Sequence, residues 1–170
     1  MEYWIVYDLA SGAELWRGSG SAGTAAYQPL PEGAAMVLVP QAVVATPILD
    51  LDVLRAVLWA RIDSEAEVVR QRFLTPGAGQ AMTYQRKEAE ARAWTADNSA
   101  AAPMLHAEAP ARGMTVEALA AEVIGLADQW VAVGAAIEAL RMGGKKAVTD
   151  AQTLGDIVAA SVIDWQAIAS

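Results

Sequence analysis

Apolar positions alternate at the start of the chain and later recur at three- and four-residue steps. Tyr3 to Leu9 sets Tyr3, Ile5 and Tyr7 on one side and Trp4 and Val6 on the other, which is the two-residue period of a strand. Its β-branched and aromatic residues favour that state. Ala10-Ser11-Gly12-Ala13 predicts a turn with Gly12 free to take a positive φ, and Glu14 to Arg17 a returning strand with Leu15 and Trp16 on opposite faces. Gly18-Ser19-Gly20-Ser21-Ala22-Gly23 reads as a flexible loop. After Pro29 and Pro31, Ala35 to Val39 predicts a third short strand closed by Pro40, with Ala42 to Ala45 a candidate extension. So few short strands bury too little surface to be stable alone and must lean on something else.

From Asp50 the period becomes helical. Leu51, Leu54, Leu58, Ile62, Ala66, Val69 and Phe73 form one stripe, with Asp50 as N-cap and Asp52 in the first turn. Thr75-Pro76-Gly77 is expected to stop this helix. A second helix, near 80–95, has a thin face of Met82, Gln85, Ala89, Arg92 and Ala93. Asp97 to Gly113, with Pro103 and Pro110, reads as a loop holding one short helical turn around Leu105. Thr115 caps a long helix whose stripe is Leu119, Val123, Leu126, Trp130, Val133, Ile137 and Leu140, and Gly143-Gly144 is expected to end it. Leu154, Ile157, Val158 and Val162 share a face of a last helix. The expected fold is α+β: a small N-terminal antiparallel β-meander over residues 1–46, then a helical domain over 47–170. Its four helices fall near 50–74, 80–95, 115–142 and 154–168, and their stripes are expected to fold without the sheet.

Composition narrows the chemistry. Hydrophobic residues make up 55% of the 170, so the chain folds, yet 38 are alanine and bury little area each. The net charge of −8 is spread as −4 over residues 1–50, zero over 51–100 and −4 over 101–170, which disfavours nucleic acid. The absence of cysteine removes disulfides, thiol nucleophiles and thiolate metal sites. Met1 leads directly into a strand without a leader pattern, and uninterrupted apolar runs such as Ala34 to Pro40 and Val131 to Ile137 fall short of a bilayer. No membrane insertion is expected, and the chain is expected to be made in the cytoplasm and kept there or assembled from there.

Candidate sites fail one by one. Gly77-Ala78-Gly79 follows a helix and lacks the third glycine of a dinucleotide fingerprint, and Gly143-Gly144-Lys145-Lys146 lacks the spacing of a phosphate loop. The single histidine, His106, has one nearby carboxylate, Glu108, which makes neither a zinc site nor a triad. Asp50 with Asp52, and Asp63 with Glu65 and Glu67, are two apart on a helix and do not converge. No catalytic residue, metal or cofactor is expected. Most of the six tryptophans read as core anchors in an alanine-rich chain. Trp4 and Trp16, with Tyr3 and Tyr7, sit on a small sheet with large apolar groups on both faces. They are the candidate partner contact.

Arg70-Gln-Arg-Phe-Leu-Thr-Pro-Gly-Ala-Gly-Gln-Ala-Met-Thr-Tyr-Gln-Arg-Lys-Glu-Ala-Glu-Ala-Arg-Ala-Trp94 resembles a segment of small tail-associated proteins of tailed phages and prophages of proteobacteria. There, too, an arginine-bearing helix meets a Pro/Gly turn, a Gln-x-x-x-Tyr element and a charged helix. Trp4 to Gly20 and Leu30-Pro-Glu-Gly33 before a Val-rich strand are similar to other stretches of those proteins. About half of the chain takes part in the resemblance, which brings no catalytic residues. It implies a structural component of the tail tip, baseplate or fibre attachment site, in the virion and assembled in the host cytoplasm. Its partners are then other phage tail subunits, with the chain a homo-oligomer or part of a larger assembly. The alternative is a tail-fibre assembly factor absent from the mature particle.

Overall fold

The computed structural model describes residues 1–75 and 77–168, and its fold is α+β: a three-stranded antiparallel sheet followed by helices. The strands are β1 (Glu2–Asp8), β2 (Glu14–Gly20) and β3 (Ala34–Val39), in the order β2-β1-β3. The helices are α1 (Gln41–Val44), α2 (Leu51–Gln71), α3 (Ala78–Ala96), α4 (Pro103–Ala111), α5 (Val116–Asp150) and α6 (Leu154–Ala160). They form two compact units, one of Met1–Glu67 with Glu138 onward, the other of Val68–Ile137. The change from strand to helix near residue 46 is therefore no boundary between compact units, which divide within α2 and α5.

In the first unit the sheet and the helices share one core. Ile5 and Tyr7 from β1, Val37 and Val39 from β3 and Val43 from α1 pack with Leu54, Leu58 and Ile62 of α2, Val148 of α5, and Leu154, Ile157 and Val158 of α6. The α2 and α6 stripes thus share their core with the sheet, and the helical stripes do not form the one contiguous core expected of them. Asp50 caps α2 as expected, its Oδ1 accepting from the backbone N–H of Asp52 at 2.9 Å and of Val53 at 3.2 Å. Side chains further along α2 hold the C-terminal segment. Arg55 donates to the Ala151 carbonyl at 2.8 Å, Trp59 Nε1 to that of Lys145 at 3.2 Å, and Arg61 to the buried Ser161 hydroxyl at 2.6 Å.

Gly12, in the β1–β2 turn, answers two demands. Its φ is +67°, and its carbonyl accepts from Gly155 N at 3.1 Å, so the turn lies against the start of α6. A Cβ there would collide with Thr153, the residue whose hydroxyl caps α6. α5 runs past Gly143 and Gly144 to Asp150, contrary to the expected stop. Gly144 serves for space, since a Cβ would run into the Ile163 side chain. Two other expected elements change: Ala42 to Ala45 belongs mainly to the short helix α1, and the last helix ends at Ala160, followed by a 3-10 turn at Trp165–Ala167.

The second unit has a smaller core of Ala91, Ala102, Leu105, Ala109, Leu119 and Ala120, with Trp94, Val116, Val123 and Ile124 packed on it. The expected loop over 97–113 contains α4, a helix of nine residues. Pro103 sits in its first turn, where no N–H is needed, and so starts the helix instead of breaking it. Ala102 has no capping side chain, and Glu90 of α3 supplies the acceptor, taking the Met104 N–H at 2.8 Å. α3 turns inward through Lys87, Glu90, Ala91 and Trp94, while Met82, Gln85, Ala89, Arg92 and Ala93 are exposed, so the expected inner face was the outer one. Gly77, at its N-cap, has φ +119°; Pro76, the expected helix stop, lies outside the described residues.

Along the α5 stripe Leu119 and Ile137 are buried, Trp130 is half-buried and Leu126 is exposed. By length and composition α5 is the one helix among the described residues able to cross a membrane. Uninterrupted runs missed it because Asp128 and Gln129 divide its apolar residues.

Candidate partner surface

Strand alternation gives β1 two apolar faces, and both are covered within the chain. Tyr3, Ile5 and Tyr7 face the helices: Ile5 and Tyr7 are buried, and half-buried Tyr3 packs against the same core. Burial pushes the Tyr7 phenol above its ordinary pKa. Trp4 and Val6 face the other way and pack with Ala25, part of a 3-10 turn at Ala25–Tyr27. The Gly/Ser-rich segment after β2 therefore folds back as a cover. Glu2 fastens it, accepting the Ala25 N–H at 3.1 Å, and the backbone N–H groups of Gly23 and Ala25 hold its carboxyl below the usual range.

Trp4 is 3% exposed, which removes it from the candidate contact. It stands opposite Gly18 on β2, and its indole occupies the space where a Cβ at Gly18 would be. The glycine that looked like loop punctuation makes room for a tryptophan. Of the four candidates Trp4 and Tyr7 are core residues, Tyr3 packs on the core, and Trp16 alone is exposed, at 38%. Trp4 is also the one fully buried tryptophan; Trp59, Trp94, Trp130 and Trp165 are half-buried.

Trp16 lies across from Val6, and Leu38 across from Trp4, so both stand on the outer face at opposite edges of the sheet. Leu38 is 54% exposed and Tyr27, on the covering turn, 86%. Alternation along Ala34, Met36 and Leu38 carries the signal for Leu38, whereas nothing local marks Tyr27, whose exposure depends on how the turn docks.

Several polar groups elsewhere pair with one another. Asp63 accepts from Arg141 at 2.6 Å and Lys145 at 2.8 Å, and these cations hold its carboxyl below the usual range. Lys146 pairs with Asp150 at 2.6 Å. Glu108 pairs with Lys87 at 2.7 Å, and His106 stands edge-on to Trp94 with ring centroids 4.9 Å apart. Among the described residues no three His, Asp or Glu side chains are grouped to hold a metal. An open cleft of about 520 Å³ beside the β1–β2 turn is lined in part by Glu14 and Arg17, which bond to each other at 2.7 Å. The geometry can support contacts with another macromolecule through the outer face and edges of the sheet. Compared with protein-family models, with curated proteins and with solved structures, the chain gave no match.

Proposed function

We propose that the chain is a structural component of a phage tail, at the tail tip, baseplate or fibre attachment site, and acts through protein–protein contacts. The observation that carries the contact is Trp16, a large aromatic left 38% exposed on a sheet whose other aromatic residues are covered. Exposed aromatics of this kind are enriched at interface centres, where they bury much area for little lost freedom. The class of partner, another tail subunit, comes from the resemblance of residues 70–94 and of Trp4 to Gly20.

The test is Trp16→Asp in the phage that encodes the chain. The variant should still melt cooperatively, at a cost of about 1–3 kcal/mol for the part of the ring the chain covers. Its amount in purified particles should fall at least tenfold. Unchanged incorporation would remove Trp16 from the contact.

A further inference from the structure

We propose that β3 pairs antiparallel with β3 of a second copy of this chain, joining two sheets into one of six strands. The inference rests on the reading that the sheet makes subunit contacts, and it names one partner and the backbone that binds it.

The two edges of the sheet differ. β2 is irregular: its register with β1 shifts between Val6 and Tyr7, it carries Gly18 and Gly20, and Arg17 donates to Glu14 and to the Thr46 carbonyl. Bulges, glycines and a covering segment are how edge strands are kept from pairing. β3 has no bulge and no glycine. Its register with β1 is unbroken from Tyr3↔Val39 to Asp8↔Ala34, and Ala-Ala-Met-Val-Leu-Val contains no charge, proline or glycine. Among the described residues no hydrogen bond reaches Ala35 to Val39 from outside the sheet. The outward N–H and C=O groups of this strand are a template for another extended strand.

Charge and shape favour a copy of the chain as that strand. The chain carries −8, so two copies approach most easily where charge is absent. Gly33 to Leu49 is the longest uncharged run in the sequence, and β3 lies inside it. A basic partner finds no carboxylate on this strand to pair with. Pairing about Val37 sets Val37 against Val37, Met36 against Leu38 and Ala35 against Val39. Alternation keeps Met36 and Leu38 on the outer face, so each Leu38, 54% exposed, lies against a half-buried Met36 of the copy. The contact is self-complementary, as a two-fold interface requires.

Sedimentation velocity of the full chain should give a particle of twice 17.9 kDa. Leu38→Lys, a substitution at an already exposed position, should halve that mass while the circular-dichroism spectrum stays that of the folded chain. Trp16→Lys, on the far edge, should leave the dimer intact. Amides of Ala35 to Val39 should exchange more slowly in the parent than in Leu38→Lys. A monomeric parent, a dimer indifferent to Leu38→Lys, or equal exchange at β3 overturns the pairing. A monomeric chain present in purified particles sinks the pairing and leaves the tail reading standing. A β3-paired chain absent from particles does the reverse.

Discussion

Leu54, Leu58 and Ile62 fill the interior of one compact unit; Ala91, Ala109 and Ala120 occupy the equivalent place in the other. The first unit buries branched side chains from sheet and helices in one cluster. In the second, four of the six residues in its buried cluster are alanine, and helices that meet through alanine gain little from transfer out of water. Polar ties add to that small apolar gain: the Glu90 acceptor for Met104 N–H, Lys87 to Glu108 at 2.7 Å and Arg112 to Glu122 at 2.8 Å. A single figure of 55% hydrophobic residues thus covers two ways of holding helices together.

The largest expected effect comes from removing residues 1–46, which strips Ile5, Tyr7, Val37, Val39 and Val43 from the first core. Hydrogen exchange at the α6 amides should rise to the level of an unfolded chain; retained protection would mean that the helices close their own core. Leu58→Ala should cost about 2–5 kcal/mol by chemical denaturation, as a cavity in a core of large side chains. The damaging change in the second unit is the opposite one. Ala91→Leu should cost about 1–3 kcal/mol through overpacking, and a neutral result would show slack between α3 and its neighbours.

Glu90→Ala should cost about 1–3 kcal/mol, because the Met104 N–H loses its acceptor in a site where Glu90 is 3% exposed. An unchanged melt would indicate that water replaces the carboxylate. The smallest effect concerns acid. Lys87 and Arg112 hold the Glu108 carboxyl below its ordinary 4.5. Its contribution is therefore complete above about pH 4.5 and is lost as pH falls through the lower folded value. Glu108→Gln should flatten the acid limb of the stability profile, and an identical limb would show that the pair contributes nothing.

Local signals in the sequence read truly where one residue type serves one purpose. The alternation of β1, the Asp50 cap and the Thr115 cap, whose hydroxyl accepts the Ala118 N–H at 3.2 Å, all follow from short-range chemistry. Residues whose meaning depends on distant neighbours misled. Gly144 and Gly18 looked like breaks and instead make room for Ile163 and Trp4. Pro103 looked like a breaker and starts α4. The inner face of α3 escaped notice because it is built from Lys87, Glu90 and Ala91, which no hydrophobic period detects. Of the four candidate contact residues only Trp16 is exposed, and the burial of Trp4 depends on a turn about twenty residues away that folds over it.

The proposed tail role meets its most direct test in a count of this polypeptide, by quantitative mass spectrometry, in phage particles purified from cells that carry its gene. A structural tail component gives a fixed number of copies per particle, constant between preparations. Presence during assembly with none in the finished particle would contradict that role and assign the chain to fibre assembly.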